Sequence, residues 1–183
     1  MKTKKGITLI EVIVCVTIIM IVAAITYPVV VNAKDGALKT KSISNMRQVY
    51  LALEIYAQEH NGTPTGTMES MGLPPWPSTK YLGEGVKELY PPRRPSVNWT
   101  FYAYNPMPTE IDRREPNWAQ YTAEVGSSAV LICDPFFNPP RTDEYDMYWQ
   151  DPYVRKFVMG ITVSGTLVKK TRTGHMDLRW WMD

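Results

Sequence analysis

The chain opens with a long apolar segment behind a short basic start. From Ile7 to Val31 the residues are almost entirely apolar, and Glu11 is the only charged residue among them. A spanning helix needs about 20 apolar residues to cross the hydrocarbon core of a bilayer. The pattern therefore predicts a membrane-spanning helix over residues 7–31.

A second helical pattern follows directly. Between Ala37 and Gly62, apolar side chains recur at steps of three and four, which is typical of a helix with one buried face. This stripe comprises Ile43, Met46, Val49, Tyr50, Leu53, Tyr56 and Ala57. Asn61-Gly62 is a common helix end. We predict one helix from Thr8 to His60 whose second half packs on a sheet.

The remainder of the chain has the sequence pattern of short strands joined by loops. Many prolines follow residue 63 and exclude long helices there. Strand-like runs occupy Ser96–Tyr104, Ser128–Cys133, Lys156–Val163 and Thr166–Arg172. The last two runs meet at Ser164-Gly165, a candidate hairpin turn, and Asn117–Val125 is a candidate short helix. We therefore expect an α+β fold, with a small antiparallel sheet laid on the amphipathic helix.

Composition and charge narrow the choice of function. Lys and Arg number 20 against 18 Asp and Glu, and Lys2, Lys4 and Lys5 precede the apolar segment. The rest of the chain is close to neutral, so it has no bulk attraction for nucleic acid. Cys15 lies in the apolar segment and Cys133 far downstream, so we expect no internal disulfide.

Glu11 decides between interpretations of the N-terminus. An acid at the centre of a spanning helix costs about 2.5–3.5 kcal/mol and usually has a partner charge. Residues 7–31 contain no basic residue. A cleaved secretory signal fits the basic start and the small residues Val22-Ala23-Ala24. A plain signal anchor fits the same lysines on the cytoplasmic side. Neither interpretation explains Glu11.

The stretch KKGITLIEV resembles the type IV prepilin signature, a basic leader that ends in glycine, followed by an apolar residue and a glutamate at the fifth mature position. The resemblance implies that prepilin peptidase cuts between Gly6 and Ile7 and that the new amine of Ile7 is N-methylated. Phenylalanine is usual where this chain has Ile7. In the family, Glu11 of an incoming subunit would neutralise the Ile7 amine of its neighbour.

The resemblance extends over residues 1 to about 62 and includes the helix-kinking proline, here Pro28. It implies roles in subunit assembly for Glu11, Thr8 and Pro28. It also implies the ladle-shaped pilin fold, divided into a leader (1–6), an assembly helix (7–31), an amphipathic helix (32–62) and a C-terminal globular region (63–183).

Partners and location follow from the same resemblance. We expect other copies in a helical filament, prepilin peptidase, an inner-membrane assembly platform and the membrane as partners. The chain would span the bacterial inner membrane once, with a cytoplasmic N-terminus, and would then enter a periplasmic or extracellular filament. Pilus and type II secretion pseudopilus, and major and minor or tip subunit, stay open as alternatives.

The C-terminal region raises the question of a metal. Major type IV pilins commonly close this region with a disulfide, and some type II secretion pseudopilins carry calcium there instead. The oxygen ligands that calcium prefers are present in Asp134, Asp143, Glu144, Asp146 and Asp151. Their spacing matches no calcium loop, and acidic loops are more often simply solvated. We therefore expect no cofactor and keep calcium as the alternative.

Other function classes have weaker support. Cys133 and His175 lie in no catalytic signature, and the sequence has no nucleotide-binding glycine loop, zinc motif or nucleophile elbow. We predict that the chain is not an enzyme. A membrane-anchored extracytoplasmic module for DNA or polysaccharide is the rival, because aromatic residues accompany Arg93-Arg94, Arg113-Arg114 and Lys169-Lys170. These pairs are scattered, which favours a filament subunit without a nucleic-acid partner.

Overall fold

The computed structural model describes residues 8–92, 102–137, 153 and 155–182. Its helices and strands are, in chain order, α1 (Leu9–Glu59), α2 (Thr79–Leu82), β1 (Ala103–Tyr104), α3 (Trp118–Val125), β2 (Val130–Asp134), β3 (Lys156–Thr162), β4 (Leu167–Arg172) and α4 (Arg179–Met182). Short 3-10 turns lie at Glu84–Val86 and Gly126–Ser128. The predicted α+β class and the predicted long N-terminal helix are confirmed.

The chain divides into two compact units, Met1–Lys39 and Thr40–Asp183. In the first unit the described residues form the N-terminal part of α1. This helix is long and apolar enough to cross a membrane, and the apolar window that qualifies it has no buried residue. One apolar helix near the N-terminus fits a protein anchored in a membrane by a single pass.

In the second unit, α1 is amphipathic in the way that its sequence predicts. Met46, Val49 and Leu53 are buried, and Tyr50 of the same stripe is half-buried. Two polar residues on this face, Ser42 and Asn45, are buried as well, which the apolar pattern did not indicate. The buried face therefore begins at Ser42, about one turn before Met46, the first buried apolar residue of α1.

The helix ends in a Schellman motif at the predicted place. Asn61 adopts a left-handed conformation with φ of 54°. The amide of Gly62 donates to the Ala57 carbonyl at 2.8 Å and the amide of Asn61 donates to the Gln58 carbonyl at 3.2 Å. Gly62 is required by close packing, because a Cβ there would lie 2.1 Å from the Met71 carbonyl oxygen.

The sheet has the order β1-β2-β3-β4, and all its neighbours are antiparallel. The predicted strands at Ser128–Cys133, Lys156–Val163 and Thr166–Arg172 correspond to β2, β3 and β4 within two residues at each end. Of the predicted strand Ser96–Tyr104, Ala103–Tyr104 forms β1, and residues 96–101 lie outside the described residues.

The β3–β4 hairpin contacts α1 directly. The amide of Gly165, whose φ is 78°, donates to the Thr162 carbonyl at 2.9 Å and closes the turn. The Tyr50 hydroxyl lies 3.0 Å from the Val163 carbonyl oxygen and 3.0 Å from a carboxylate oxygen of Glu54. Burial, followed by the hydrogen bond to Glu54, raises the pKa of Tyr50 to about 12, so this phenol is neutral at physiological pH.

Both faces of the sheet are covered within the second unit. Cys133 packs with Val158 and with Trp180 of α4, whereas Asp134 accepts a hydrogen bond from Ser42 of α1. Because neighbouring residues of a strand point to opposite faces, α1 and the C-terminal segment lie on opposite sides of β2. Trp180 of the C-terminal segment is therefore part of the cover of the sheet.

Candidate functional site

Thr8 and Glu11 form a reciprocal pair at the start of α1. The Thr8 amide and the Thr8 hydroxyl both donate to Glu11 Oε2, each at 2.8 Å. The Glu11 amide lies 3.4 Å from Thr8 Oγ1 and donates to it. This is a capping box, in which a threonine cap and a glutamate at the third helical position satisfy each other's backbone donors.

The capping box gives Glu11 hydrogen-bond partners within its own chain. Sequence reasoning expected the partner of Glu11 to come from outside the segment. The structure instead supplies two donors from Thr8, and the Thr-x-x-Glu spacing is a known signal that would have predicted them. Both donors are neutral, so the carboxylate keeps its negative charge and lies at the helix end where an anion is favoured.

The two other threonines of the apolar segment bond to the backbone of the same helix. The Thr17 hydroxyl donates to the Ile13 carbonyl at 2.7 Å, and the Thr26 hydroxyl donates to the Val22 carbonyl at 2.9 Å. Pro28 lies inside α1, where it lacks the amide that would bond one turn back. A helix whose hydroxyls bond internally suits an environment without water.

The apolar side chains of this segment are exposed all around the helix. Leu9 is 78% exposed, Ile19 66% and Ile25 66%, and at about 100° per residue these three side chains lie on different sides of the helix. A helix that is apolar on every side is normally covered by lipid or by other helices. The surface of this segment is therefore typical of a helix that lipid or other helices cover.

The structure does not describe the proposed processing site. Gly6 and Ile7, the proposed cleavage and methylation positions, lie outside the described residues. Cleavage and methylation stay predictions. Thr8, Glu11 and Pro28 are placed on one helix, and the roles in subunit assembly that the sequence suggested for them also stay predictions.

Of the proposed calcium ligands, Asp134 is the one that lies among the described residues, and it is buried. Asp134 is the last residue of β2 and is fully buried, whereas the sequence placed it in a solvated loop. Its carboxylate accepts from the Ser42 hydroxyl and, at 2.9 Å, from the Phe136 amide, so it joins β2 to α1.

The rest of the proposed calcium ligands, Asp143, Glu144, Asp146 and Asp151, lie outside the described residues. Among the residues that are described, no group of three or more His, Cys, Asp or Glu is arranged to hold a metal. Calcium therefore stays an untested alternative.

Three of the residues behind the rival functions, Cys133, Arg114 and Lys170, have contacts within the second unit, whereas Arg113, Lys169 and His175 are exposed. Cys133 is fully buried, and burial raises the pKa of its thiol, which keeps it protonated and poorly nucleophilic. Arg114 binds both carboxylate oxygens of Asp112 at 2.7 Å. Lys170 lies 5.7 Å from the ring centroid of Trp180. Arg93-Arg94 lies outside the described residues.

Comparison with known proteins bears on the N-terminus. Residues 1–27 match the family described as the prokaryotic N-terminal methylation motif. Comparison with curated proteins and with solved structures gave no match. The matched range contains the stretch KKGITLIEV, the capping box and most of the apolar segment. The predicted resemblance is thus confirmed, and the chain carries the N-terminal signature of type IV pilins and pseudopilins.

Proposed function

We propose that this chain is a structural subunit of a type IV pilus-like or pseudopilus filament. In this proposal, prepilin peptidase cuts between Gly6 and Ile7 and the Ile7 amine is methylated. The subunit is stored in the bacterial inner membrane by the apolar part of α1, and an inner-membrane platform assembles it into a periplasmic or extracellular filament. Its function is mechanical, and the proposal assigns it no catalysis and no cofactor.

The observation that carries the proposal is an apolar helix with one charge, placed at its very start. Glu11 lies in the first turn of α1, and the described segment from Val12 to Val31 has no other charged side chain. The segment contributes no buried residue to the fold of the chain. Such a surface has two natural partners, lipid before assembly and identical helices after it, and the methylation motif supports this use.

The capping box suggests how Glu11 is tolerated before assembly. In the membrane, two hydrogen bonds from Thr8 stabilise the carboxylate near the interface. Cleavage after Gly6 leaves the Thr8 amide in a peptide bond, so the box survives processing. The new amine on Ile7 then supplies the cation that the segment lacks. In a filament without water around the helices, this amine of one subunit and Glu11 of the next neutralise each other.

The experiment compares Glu11→Gln with Glu11→Asp in the full chain. Glutamine keeps the size and accepts the Thr8 hydrogen bonds, but it removes the charge. We expect normal membrane levels and strongly reduced incorporation into filaments, because leaving one partner of a buried ion pair alone costs about 3–5 kcal/mol. Aspartate keeps the charge and should retain more incorporation than glutamine.

The measurement is the amount of each variant in sheared filaments, divided by its amount in the membrane fraction. Measuring this chain's own incorporation also covers the case of a minor or tip subunit. Equal incorporation of wild type and Glu11→Gln at equal membrane abundance would contradict the charge-pairing mechanism.

A further inference from the structure

A cleft of about 230 Å³ lies between the C-terminal end of α1, the loop that follows it, and the sheet. We call it the α1 cleft. The buried part of its lining is apolar and consists of Leu53, Met71, Leu73 and Leu131. An apolar cavity of about 150 Å³ already accepts a benzene molecule, whereas drug-sized ligands occupy about 300–1,000 Å³. The α1 cleft therefore has the size of one large side chain.

Two glycines fix the part of the α1 cleft that is built from the loop after α1. Gly62 lines the cleft and packs against the Met71 carbonyl, with no room for a Cβ between them. Gly72 has a φ of 62°, and a Cβ there would lie 2.9 Å from the Ala57 carbonyl oxygen. The backbone of the loop therefore lies directly against the end of α1, and this contact sets the shape of the cleft.

Glu54 gives the α1 cleft a negative charge. Among the described residues that line the cleft, it is the only one with a charged side chain. The ion pairs in the described part of the chain join other residues, so no cation there neutralises Glu54. Its Oε1 accepts a hydrogen bond from the Tyr50 hydroxyl, a phenol that is neutral because burial raises the pKa of Tyr50 to about 12. Its Oε2 has no donor among the described residues.

Two further hydrogen-bond acceptors lie beside Glu54. The Tyr50 hydroxyl is 3.0 Å from Glu54 Oε1 and 3.0 Å from the Val163 carbonyl oxygen, and its single hydrogen serves only one of them at a time. Gln58 follows Glu54 by one turn and also lines the cleft, and its side-chain oxygen accepts from no described residue. A ligand with a positive charge and several N–H donors therefore matches this part of the lining.

We propose that the α1 cleft binds an arginine side chain of a partner protein. The methylene stem of arginine packs on apolar residues, and its guanidinium group has five N–H donors that pair with a carboxylate through two parallel hydrogen bonds. The stem fits the buried apolar lining, and the guanidinium fits Glu54 with its neighbouring acceptors. A lysine ammonium is more strongly hydrated and lacks the planar fork. A neutral apolar side chain would cover Glu54 without pairing its charge, which is costly.

This inference goes beyond the proposed filament function and does not depend on it. Every residue that lines the α1 cleft belongs to the second unit, Thr40–Asp183. The apolar segment that the proposed function assigns to assembly lies in the first unit. The two proposals therefore rest on different parts of the chain and fail separately.

The first test titrates small probes into the full chain in detergent micelles and follows leucine methyl signals by NMR. The main probe is arginine with both ends capped as amides, which presents the side chain as a protein would. Capped citrulline has the same length and shape without the charge, and capped lysine keeps the charge without the guanidinium. We expect saturable shifts of the Leu53, Leu73 and Leu131 methyl signals with capped arginine. Capped citrulline should bind at least about tenfold more weakly, because hydrogen bonds between charged groups are the stronger ones.

The second test removes the charge of the cleft. Glu54→Gln keeps the size of the side chain and should lower the affinity for capped arginine at least about tenfold. Glu59→Gln is the matched control, because it makes the same change at an exposed residue of α1 that does not line the cleft. It should leave the affinity unchanged. Methyl spectra of the two variants without probe should match wild type away from the substituted residue, which verifies their fold.

The outcomes separate the occupants of the cleft. Preference for capped arginine over capped citrulline, lost in Glu54→Gln and kept in Glu59→Gln, supports the proposal. Equal binding of arginine and citrulline, or no saturable shift with any probe, would overturn it. Equal binding of capped lysine would overturn the assignment to arginine. Tighter binding of free arginine than of capped arginine would indicate a site for the amino acid itself and would overturn the protein partner.

Discussion

Leucines and isoleucines have different partners in the two units of the molecule. In Met1–Lys39 the apolar side chains from Leu9 to Val31 are exposed, whereas in Thr40–Asp183 Leu53, Ile132 and Ile161 are fully buried. The apolar segment therefore gains no stability from hydrophobic burial within the chain, and the second unit does. In the first unit leucine and isoleucine side chains are available for contacts with other molecules, and in the second unit the same residue types stabilise the fold.

This difference separates two kinds of mutational effect. Substitutions in the first unit should alter membrane insertion or assembly and leave the folding of the second unit unchanged. Substitutions on the buried face of α1 should destabilise the second unit. Substitutions at exposed positions of α1 in the second unit, such as Ser44 and Leu51, should have little effect on stability.

The largest expected effect is the removal of the first unit. A chain that begins at Lys34 should leave the membrane fraction completely and remain soluble, folded and monomeric. The buried face from Ser42 to Leu53 keeps all its contacts, and the apolar segment proposed to assemble with other copies is removed. Sedimentation and circular dichroism check this. An insoluble or unfolded product would show that the second unit is not an independent core.

The next effect compares two leucines that lie on opposite sides of α1. In the chain that begins at Lys34, Leu53→Ala should lower the free energy of unfolding by about 2–5 kcal/mol, because Leu53 is fully buried. Leu51→Ala should change it by less than about 0.5 kcal/mol, because Leu51 is 59% exposed. Urea denaturation measures both. Equal losses for the two variants would contradict the assigned faces.

A smaller effect is expected from two serines on opposite sides of the same helix. Ser42→Ala removes a buried hydrogen bond to Asp134 and should cost about 1–3 kcal/mol of unfolding free energy. Ser44→Ala, at an exposed position of α1, should change the stability by less than about 0.5 kcal/mol. The same denaturation experiment applies. A neutral Ser42→Ala would mean that Asp134 does not need this donor.

Sequence patterns predicted the elements whose signal is local. Apolar periodicity located α1, and Asn61-Gly62 marked its end. Strand-like runs and a glycine turn located the β3–β4 hairpin. These signals depend on backbone geometry over a few residues, which is why they transfer directly to the fold.

The polar interior could not be predicted in the same way. Ser42 and Asp134 are 92 residues apart in sequence, and each looks like a surface residue until the fold brings them together. Pairing across such a separation has no periodic signal. The capping box at Thr8 and Glu11 is different, because its Thr-x-x-Glu spacing is local and was readable from the sequence.

The N-terminus of the native protein tests the assembly account without any assumption about its filament. Mass spectrometry of the chain recovered from membranes and from sheared material should find a protein that begins at Ile7 and carries one added methyl group. Gly6→Val should leave the leader uncut and the chain still inserted, because the larger side chain blocks the cleavage site. A native chain that begins near Ile25, or one that retains residues 1–6, would contradict processing as a prepilin.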